Sequence, residues 1–216
     1  NITLACWVKT NTPDVTQVLI NKGTSFLGGK RYVLGIQGAD ENNFPYGGVY
    51  ATIDSDSDEI SLQFNEPLPL SVWTHISVVF DRTNNIHSLY INGVLEDQVQ
   101  TEFYGDISSD LDLKIGEHSQ NENESNLYGE IDMVSIWNIA LSQQEILHYM
   151  NCPPNIEEEG LVGYWNFEEG GGDTTFDVSP NGNNGTINGA VYSDNVPEQS
   201  CQLCEFEEFE GFSYAG

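Results

Sequence analysis

Basic side chains are what this sequence most clearly lacks. It has 6 lysines and arginines against 34 aspartates and glutamates, so its formal net charge is −28 over 216 residues. A surface of this charge repels the phosphates of nucleic acids and of anionic membranes. We therefore expect no nucleic-acid partner. The acidity itself indicates solubility or, where carboxylates meet, a site for a hard cation such as calcium.

Long apolar runs and a signal peptide are also missing. No stretch approaches the roughly 20 apolar residues of a membrane helix, so we expect no membrane insertion. Asn1 begins directly in a predicted strand, and the last residues, 209–216, resemble the opening of a further segment. We interpret the chain as an internal piece of a longer secreted polypeptide.

Helical patterns are scarce, and turn signals are frequent in their place. The convincing helix covers residues 142–150, where Ser142 and Glu145 form the sequence signature of a capping box. Asn92-Gly93, between two alternating segments, is a strong hairpin signal, because both turn positions need a positive φ. These signals predict a β-meander that is closed by one short helix.

Short β-branched or aromatic segments that Gly, Asn, Asp or Pro separate are typical of strands. The predicted strands cover 2–9, 16–22, 31–37, 48–53, 60–65, 73–80, 87–91, 95–101, 111–116, 130–138, 160–167 and 185–193. Connections this short favour antiparallel sheets packed face to face. The predicted fold class is therefore all-β, an antiparallel sandwich with a short helix near 142–150.

Cysteine is the last scarce residue type, and four cysteines allow three complete pairings. Cys152 follows the predicted helix and Cys201 follows the last predicted strand, so a disulfide between them would tie the closing segment onto the sandwich. Cys6 lies within a strand, where a buried thiol acts as a small hydrophobe. Cys204 has Cys201 or a residue beyond Gly216 as alternative partners.

The order of several motifs resembles the laminin-G-like and pentraxin branch of the concanavalin A-like jelly rolls. The motifs are ITLACWVK at the N-terminus, then WTHISVVFD, HSLYINGVLEDQ, LKIG, GEIDMVSIWNIALSQQEI and GLVGYWNFEEGGG, and finally DVSPNGNNGTINGA. The resemblance implies a laminin-G-like jelly-roll domain over residues 1–200, with one or two further strands expected before Asn1. Residues 201–216 are then a linker or the start of a following domain.

The disulfide of the pentraxin branch is absent from this chain. The cysteine that would pair with Cys6 is replaced, by our alignment of the motifs, with Ser77. The resemblance also invites a comparison with laminarinase-type glycoside hydrolases, in which Glu130 and Asp132 match the first two acidic positions. The third position falls on Val134 or Ser135, which cannot act as the acid or base that a retaining mechanism needs. We therefore expect no enzyme activity.

Calcium is the candidate cofactor, and the resemblance implies two loops for it. The loop after the LKIG strand contributes Glu117 and Asn121, although the pentraxin ligand triplet is replaced there. The second loop, Asp177 to Gly185, is of a kind that sometimes holds a structural ion in jelly-roll modules, with Asp177, Asn181 and Asn183 as its ligands. The alternative for the second loop is a set of Asn-Gly turns, since both residues tolerate left-handed φ.

Sugar binding would need an aromatic platform beside hydrogen-bonding groups. Tyr46, Tyr104 and Tyr128 are the candidate ligand-binding residues, and Trp137 is also available, whereas the other tryptophans lie in apolar strands. We expect a non-catalytic recognition or adhesion module of a secreted or cell-surface protein, which binds a glycan or another extracellular protein. The alternative is a structural spacer that contacts neighbouring domains of the same assembly.

Overall fold

The computed structural model describes residues 1–24, 29–38, 46–118 and 125–201. These residues form two large antiparallel sheets, a two-stranded ribbon and one α-helix. The strands are β1 (Ile2–Thr10), β2 (Gln17–Gly23), β3 (Arg31–Ile36), β4 (Val49–Asp54), β5 (Glu59–Phe64), β6 (Thr74–Asp81), β7 (Ile86–Ile91), β8 (Val94–Gln100), β9 (Lys114–Ile115), β10 (Gly129–Trp137), β11 (Leu161–Trp165), β12 (Thr174–Thr175) and β13 (Gly185–Thr186), and the helix is α1 (Gln143–Asn151). The predicted all-β class is confirmed.

The two large sheets pack face to face as a sandwich. One has six strands in the order β11-β10-β1-β6-β7-β8, and the other has five in the order β5-β4-β3-β2-β9. Alternate residues of each strand enter the core between them, as period-two patterning predicts. In β6 these are Ile76, Val78 and Phe80, all fully buried.

The outer face of the six-stranded sheet is covered as well. The helix α1 and the segments that flank it bury a second apolar cluster, which contains Val79, Tyr90, Trp137, Leu141, Ile146, Leu161 and Tyr164. Trp137 is 1% exposed and stacks on Tyr149 of the helix at 4.7 Å between ring centroids. Trp137 therefore belongs to the core, and its sequence-based interpretation as an available sugar platform was wrong.

The predicted hairpin and helix cap are both confirmed. Asn92 and Gly93 have φ values of 48° and 75°, as a two-residue turn between β7 and β8 requires. Ser142 caps α1: its hydroxyl accepts from the Glu145 N–H, while the Glu145 carboxylate accepts from the Ser142 N–H at 2.7 Å. No described helix has the length and apolar character that crossing a membrane would require.

The predicted strands at 111–116 and 185–193 are much shorter than expected. Only Lys114–Ile115 and Gly185–Thr186 pair, because the charged stretch before Lys114 and the polar stretch after Thr186 follow irregular paths. β12 was not predicted. It pairs with β13 in a small ribbon, in which Thr174 lies opposite Thr186.

The Cys152–Cys201 disulfide is confirmed, with 4.8 Å between the Cα atoms, and Cys6 is a buried free thiol. The expected relation between Cys6 and Ser77 was wrong. Cys6 lies opposite Ile76 in the register of β1 and β6, whereas Ser77 lies opposite Ala5. Since successive residues of a strand point to opposite faces, Cys6 faces the core and Ser77 faces α1.

His75 lies under the helix side of β6 and is expected to make the fold sensitive to acid. It is 4% exposed, with its Nδ1 3.4 Å from the Ser77 hydroxyl and its ring 5.3 Å from that of Trp7. Burial lowers the pKa of His75 to about 3 from its ordinary 6.5. Below about pH 6.5 the His75 imidazole is protonated in the unfolded chain but stays neutral in the folded protein. Each further pH unit of acidification therefore lowers the free energy of unfolding by about 1.4 kcal/mol.

The comparison of wild type with His75→Asn isolates this effect, because the other acids and histidines are common to both proteins. Between pH 6.5 and pH 5 we expect the wild type to lose about 2 kcal/mol more stability than the variant. Urea unfolding at a series of pH values measures the difference. Parallel stability profiles for the two proteins would contradict the prediction.

Candidate functional site

Five large apolar side chains are exposed together at one end of the sandwich, on the loops that follow β1 and precede β2, β4, β6 and β10. We call this group the tyrosine surface. Its members, with their exposed fractions, are Val15 (42%), Tyr46 (44%), Leu70 (48%), Val72 (51%) and Tyr128 (56%). Backbone hydrogen bonds join the loops: Asn11 N–H donates to the Tyr128 carbonyl and Ser71 N–H to the Thr10 carbonyl. A shared apolar patch on a protein surface marks an interaction site more often than scattered residues do.

The loop that carries Tyr46 is held between two prolines. Gly47 has a φ of +78°, and a Cβ added there would lie 3.1 Å from the side chains of Pro13 and Pro67. The Tyr46 hydroxyl donates a hydrogen bond to the carboxylate of Asp14. This bond, more than burial or the Asp14 charge, raises the pKa of Tyr46. The ring is thereby fixed with a large part of its surface open to solvent.

Gln17 holds the backbone at Tyr128. Its side chain is fully buried, and its Oε1 accepts from the Tyr128 N–H at 2.9 Å. Its Nε2 donates to the Thr12 carbonyl at 2.7 Å and to the Thr10 hydroxyl at 3.1 Å. One buried amide therefore links the loop after β1 to the segment before β10, and it fixes Tyr128 relative to the rest of the patch.

A small cavity adjoins this surface at the outer face of the five-stranded sheet. It is lined by Gln37, Gly48, Val49, Tyr50, Gln63, Phe64 and Asn65. Gly47 N–H donates to the Gln37 carbonyl at 2.8 Å, so the cavity continues directly from the loop of Tyr46. The lining combines apolar groups with the amide-bearing residues Gln37, Gln63 and Asn65, which suits a ligand with both apolar faces and hydroxyl groups.

Of the three predicted ligand-binding tyrosines, the structure places Tyr46 and Tyr128 at the same end of the sandwich and Tyr104 elsewhere. Tyr104 is 74% exposed, and its N–H donates to the carboxylate of Asp58, in the turn between β4 and β5. Tyr46 precedes the other end of β4. Six strand residues span about 20 Å, so Tyr104 lies at the opposite end of the sandwich.

The predicted metal loop from Asp177 closes the open edge of β11. The Asp177 side chain is 7% exposed, and its Oδ1 accepts from the N–H groups of Tyr164 and Ser179, each at 2.9 Å. Its Oδ2 accepts from the N–H of Asn183 at 2.8 Å and from the Asn183 side-chain amide at 3.0 Å. The carboxylate thus accepts four hydrogen bonds. Unpaired edge groups invite association with other chains, and this loop covers them.

The other two predicted ligands of this loop also bond to β11. Asn181 Nδ2 donates to the carbonyls of Leu161 and Val162 at 3.1 and 3.0 Å, and Asn183 Nδ2 donates to the Val162 carbonyl at 2.9 Å. This geometry does not fit a calcium ion, because the carboxylate oxygens that would bind the ion are directed at N–H groups. The alternative interpretation of the run as Asn-Gly turns agrees with its hydrogen bonding.

Calcium at the other predicted loop stays a prediction. Glu117 forms an ion pair with Lys114 at 3.6 Å, and Asn121 lies outside the described residues, as does Cys204. Within the described ranges, no group of three or more His, Cys, Asp or Glu side chains is arranged to hold a metal ion.

The two glycosidase-like acids lie on β10 in different surroundings. Glu130 accepts hydrogen bonds from Ser193 and Asn195 and pairs with Lys9. Burial alone would raise the pKa of Glu130, but these partners together hold it below its ordinary value. Burial raises the pKa of Asp132 to about 6.

The position of the third acid is occupied by groups without acid–base chemistry. Val134 is fully buried in the core, and the Ser135 hydroxyl accepts from Trp137 Nε1 at 3.1 Å. Among the described residues, Asp132 is buried and Glu130 is engaged in hydrogen bonds, and no third carboxyl lies at the matching position.

Sequence reasoning missed Val15, Leu70, Val72 and Gln17. Apolar residues inside loops that also carry proline were the available signal for the first three, since such residues have no strand face on which to be buried. Gln17 gave no signal, because a glutamine at a strand start is ordinary in sequence and its partners come from distant segments.

Comparison with known proteins agrees with the architecture. The family model described as the concanavalin A-like lectin/glucanases superfamily matches residues 1–147. No curated protein sequence is significantly similar to the chain.

Three solved structures illustrate the similarity. A Bacteroides ovatus protein proposed to bind carbohydrate is 17% identical, with a TM-score of 0.69, and the match covers 88% of this chain and 55% of that one. The CBM40 of the Ruminococcus gnavus IT-sialidase, bound to α2,3-sialyllactose, is 21% identical, with a TM-score of 0.54 and coverage of 68% and 80%. A heptameric SAP-like pentraxin from Limulus polyphemus is 17% identical, with a TM-score of 0.54 and coverage of 74% and 73%. At these identities the likeness concerns the fold. The chain spans about half the length of the Bacteroides protein.

Proposed function

Because the chain belongs to the concanavalin A-like lectin/glucanase superfamily, we propose that it is a non-catalytic carbohydrate-binding module that holds a glycan at the tyrosine surface. The observation that carries the proposal is the grouping of two tyrosines and three aliphatic side chains, each 42–56% exposed, at one end of the sandwich. The known relatives with this fold include a protein proposed to bind carbohydrate and one bound to sialyllactose, which supports a glycan as the ligand.

The chemistry of a sugar ring suits this surface. A pyranose has apolar C–H faces and a rim of hydroxyl groups, and an exposed tyrosine offers an apolar ring with a polar tip. The Tyr46 hydroxyl is held by Asp14, so little side-chain entropy of this ring remains to be lost on binding, while Gln17 holds the backbone at Tyr128. Gln63 and Asn65 line the adjoining cavity and offer amide groups to a second sugar unit, whereas the Gln37 amide donates to the Thr16 hydroxyl at 3.4 Å.

We further propose that the module works outside the cell, as part of a larger secreted or surface protein. The Cys152–Cys201 disulfide supports this location, because such bonds persist in oxidising compartments. A net charge of −28 keeps an exposed module soluble and apart from similar copies.

Removal of either platform ring is expected to weaken glycan binding strongly. Tyr46→Ala and Tyr128→Ala should each lower the affinity for a bound polysaccharide about tenfold, which corresponds to about 1.4 kcal/mol per ring. Affinity electrophoresis against a panel of soluble polysaccharides first identifies a ligand for the wild type. Isothermal titration with an oligosaccharide of that ligand then measures the variants.

Tyr104→Ala is the matched control, since it removes an even more exposed tyrosine at the opposite end of the sandwich. It should bind as the wild type does. An affinity loss confined to Tyr104→Ala would move the site to the other end, and an absence of binding to the whole glycan panel would favour a structural spacer instead.

A further inference from the structure

We propose that the tyrosine surface selects neutral glycans and rejects acidic ones, such as sialylated, uronic or sulfated sugars. This inference rests on the proposed function, since it names the ligand class of the same site. Its basis is the placement of the positive charges, because an acidic sugar in a binding site needs a cationic or N–H-rich partner for its carboxylate.

All six lysines and arginines lie in the described residues, and each has a partner within the chain. Four are paired with carboxylates: Lys9 with Glu130, Lys30 with Asp106 and Asp56, Arg31 with Asp54, and Lys114 with Glu117. The other two donate to backbone carbonyls, Lys22 to Leu111 at 2.6 Å and Arg82 to Gly105 at 2.8 Å.

Lys22 and Arg82 also lie far from the tyrosine surface. Lys22 is near the end of β2, whose first residue, Gln17, supports Tyr128. Five strand steps place it about 17 Å away. Arg82 follows the last residue of β6, about 25 Å along the strand from Thr74, which lies beside Val72. Neither can reach a ligand at this end of the sandwich.

Lys9 is the cation nearest to the tyrosine surface, and it is fully engaged. It contacts the Glu130 carboxylate, and its Nζ lies 5.7 Å from the centre of the Trp73 ring. Its side chain is 16% exposed. To bind an acidic sugar, Lys9 would have to leave both its ion pair and the Trp73 ring, and Glu130 would lose its cationic partner.

The charges that do lie at this end are negative. Asp14 accepts the hydrogen bond of Tyr46, and Glu66 is exposed next to Pro67, which packs against the Tyr46 loop. The residues outside the described ranges contain carboxylates but no lysine or arginine. A ligand carboxylate would therefore meet repulsion from like charges, a common means of excluding a wrong partner.

The test compares matched neutral and acidic glycans, such as lactose and 3′-sialyllactose, methyl-esterified and free polygalacturonate, or a galactan and its sulfated form. At low ionic strength, and in buffers with calcium or with EDTA, we expect at least tenfold weaker binding of the acidic partner of any pair that binds. The difference should narrow at about 1 M salt, where the Debye length falls to about 3 Å.

Charge substitution at Glu66 provides the second arm. Glu66→Lys should leave the affinity for the neutral glycan within about twofold and improve the acidic partner several-fold, while Glu66→Gln should give a smaller gain. An acidic glycan that binds the wild type as tightly as its neutral partner, in either buffer, would overturn this inference while the proposed function stood. Binding of no glycan at all would overturn the proposed function, and the ligand class with it.

Discussion

Replacement of Cys152 and Cys201 by serine is expected to lower the free energy of unfolding by about 4 kcal/mol. The disulfide closes a loop with a sequence separation of 49, and loop-closure entropy in the unfolded chain gives this figure. In the folded protein, Cys152 caps the C-terminus of α1 and Cys201 follows the segment that returns to it, where Gln199 donates to the Met150 carbonyl. Guanidinium unfolding of the oxidised wild type and of the double variant measures the loss.

One further cysteine variant separates this disulfide from other thiol effects. Cys204→Ser should keep the wild-type stability, since the structure pairs Cys201 with Cys152. The Cys6 thiol is fully buried, and burial raises its pKa to about 12, so it supplies little thiolate for exchange near neutral pH. A large loss in Cys204→Ser, or no loss in the double variant, would refute the assigned contribution.

The fold was predictable because its sequence signals act locally. Alternation in β6 sets Ile76, Val78 and Phe80 on the core side, and the turn residues Asn92 and Gly93 fix the next hairpin without reference to distant segments. The cap at Ser142 is equally local. The register between β1 and β6 is not, and for this reason the sequence comparison misplaced Ser77 opposite Cys6.

The candidate site was only partly predictable because its parts come from distant loops. Tyr46 and Tyr128 were named from the chemistry of their side chains, but a sequence does not show that both lie at one end while Tyr104 lies at the other. Their grouping depends on Gln17, which joins loops that are 111 residues apart. A role in ligand binding can be inferred for Val15 and the other aliphatic members of the tyrosine surface only from that grouping.

The loop at Asp177 shows a different limit of sequence reasoning. A carboxylate followed by asparagines and glycines suits either a cation or a set of backbone N–H donors, and composition does not distinguish them. The folded structure distinguishes the two, because β11 is an edge strand whose N–H and carbonyl groups need partners. The loop that follows it supplies those partners through Asp177, Asn181 and Asn183.

Asp177→Ala is therefore expected to lower the free energy of unfolding by about 3 to 4 kcal/mol. The variant leaves the buried N–H groups of Tyr164 and Ser179 and the part-buried N–H of Asn183 without their acceptor, and a lost bond to a buried charged group costs about 1.5 to 3 kcal/mol before the loop relaxes. Urea unfolding measures the stability, and amide hydrogen exchange should show faster exchange at Tyr164 and Asn183 in particular.

Asp177→Asn is the matched variant, because it keeps the size of the side chain and one acceptor oxygen. If Oδ1 is retained, the bonds from Tyr164 and Ser179 survive and those to Oδ2 are lost, so about half of the alanine effect is expected. The stability of the wild type should be equal in calcium and in EDTA, since the carboxylate is satisfied by N–H groups. A calcium-dependent gain in the wild type that Asp177→Asn abolishes would show that the loop binds an ion and would replace the edge-covering role proposed for it.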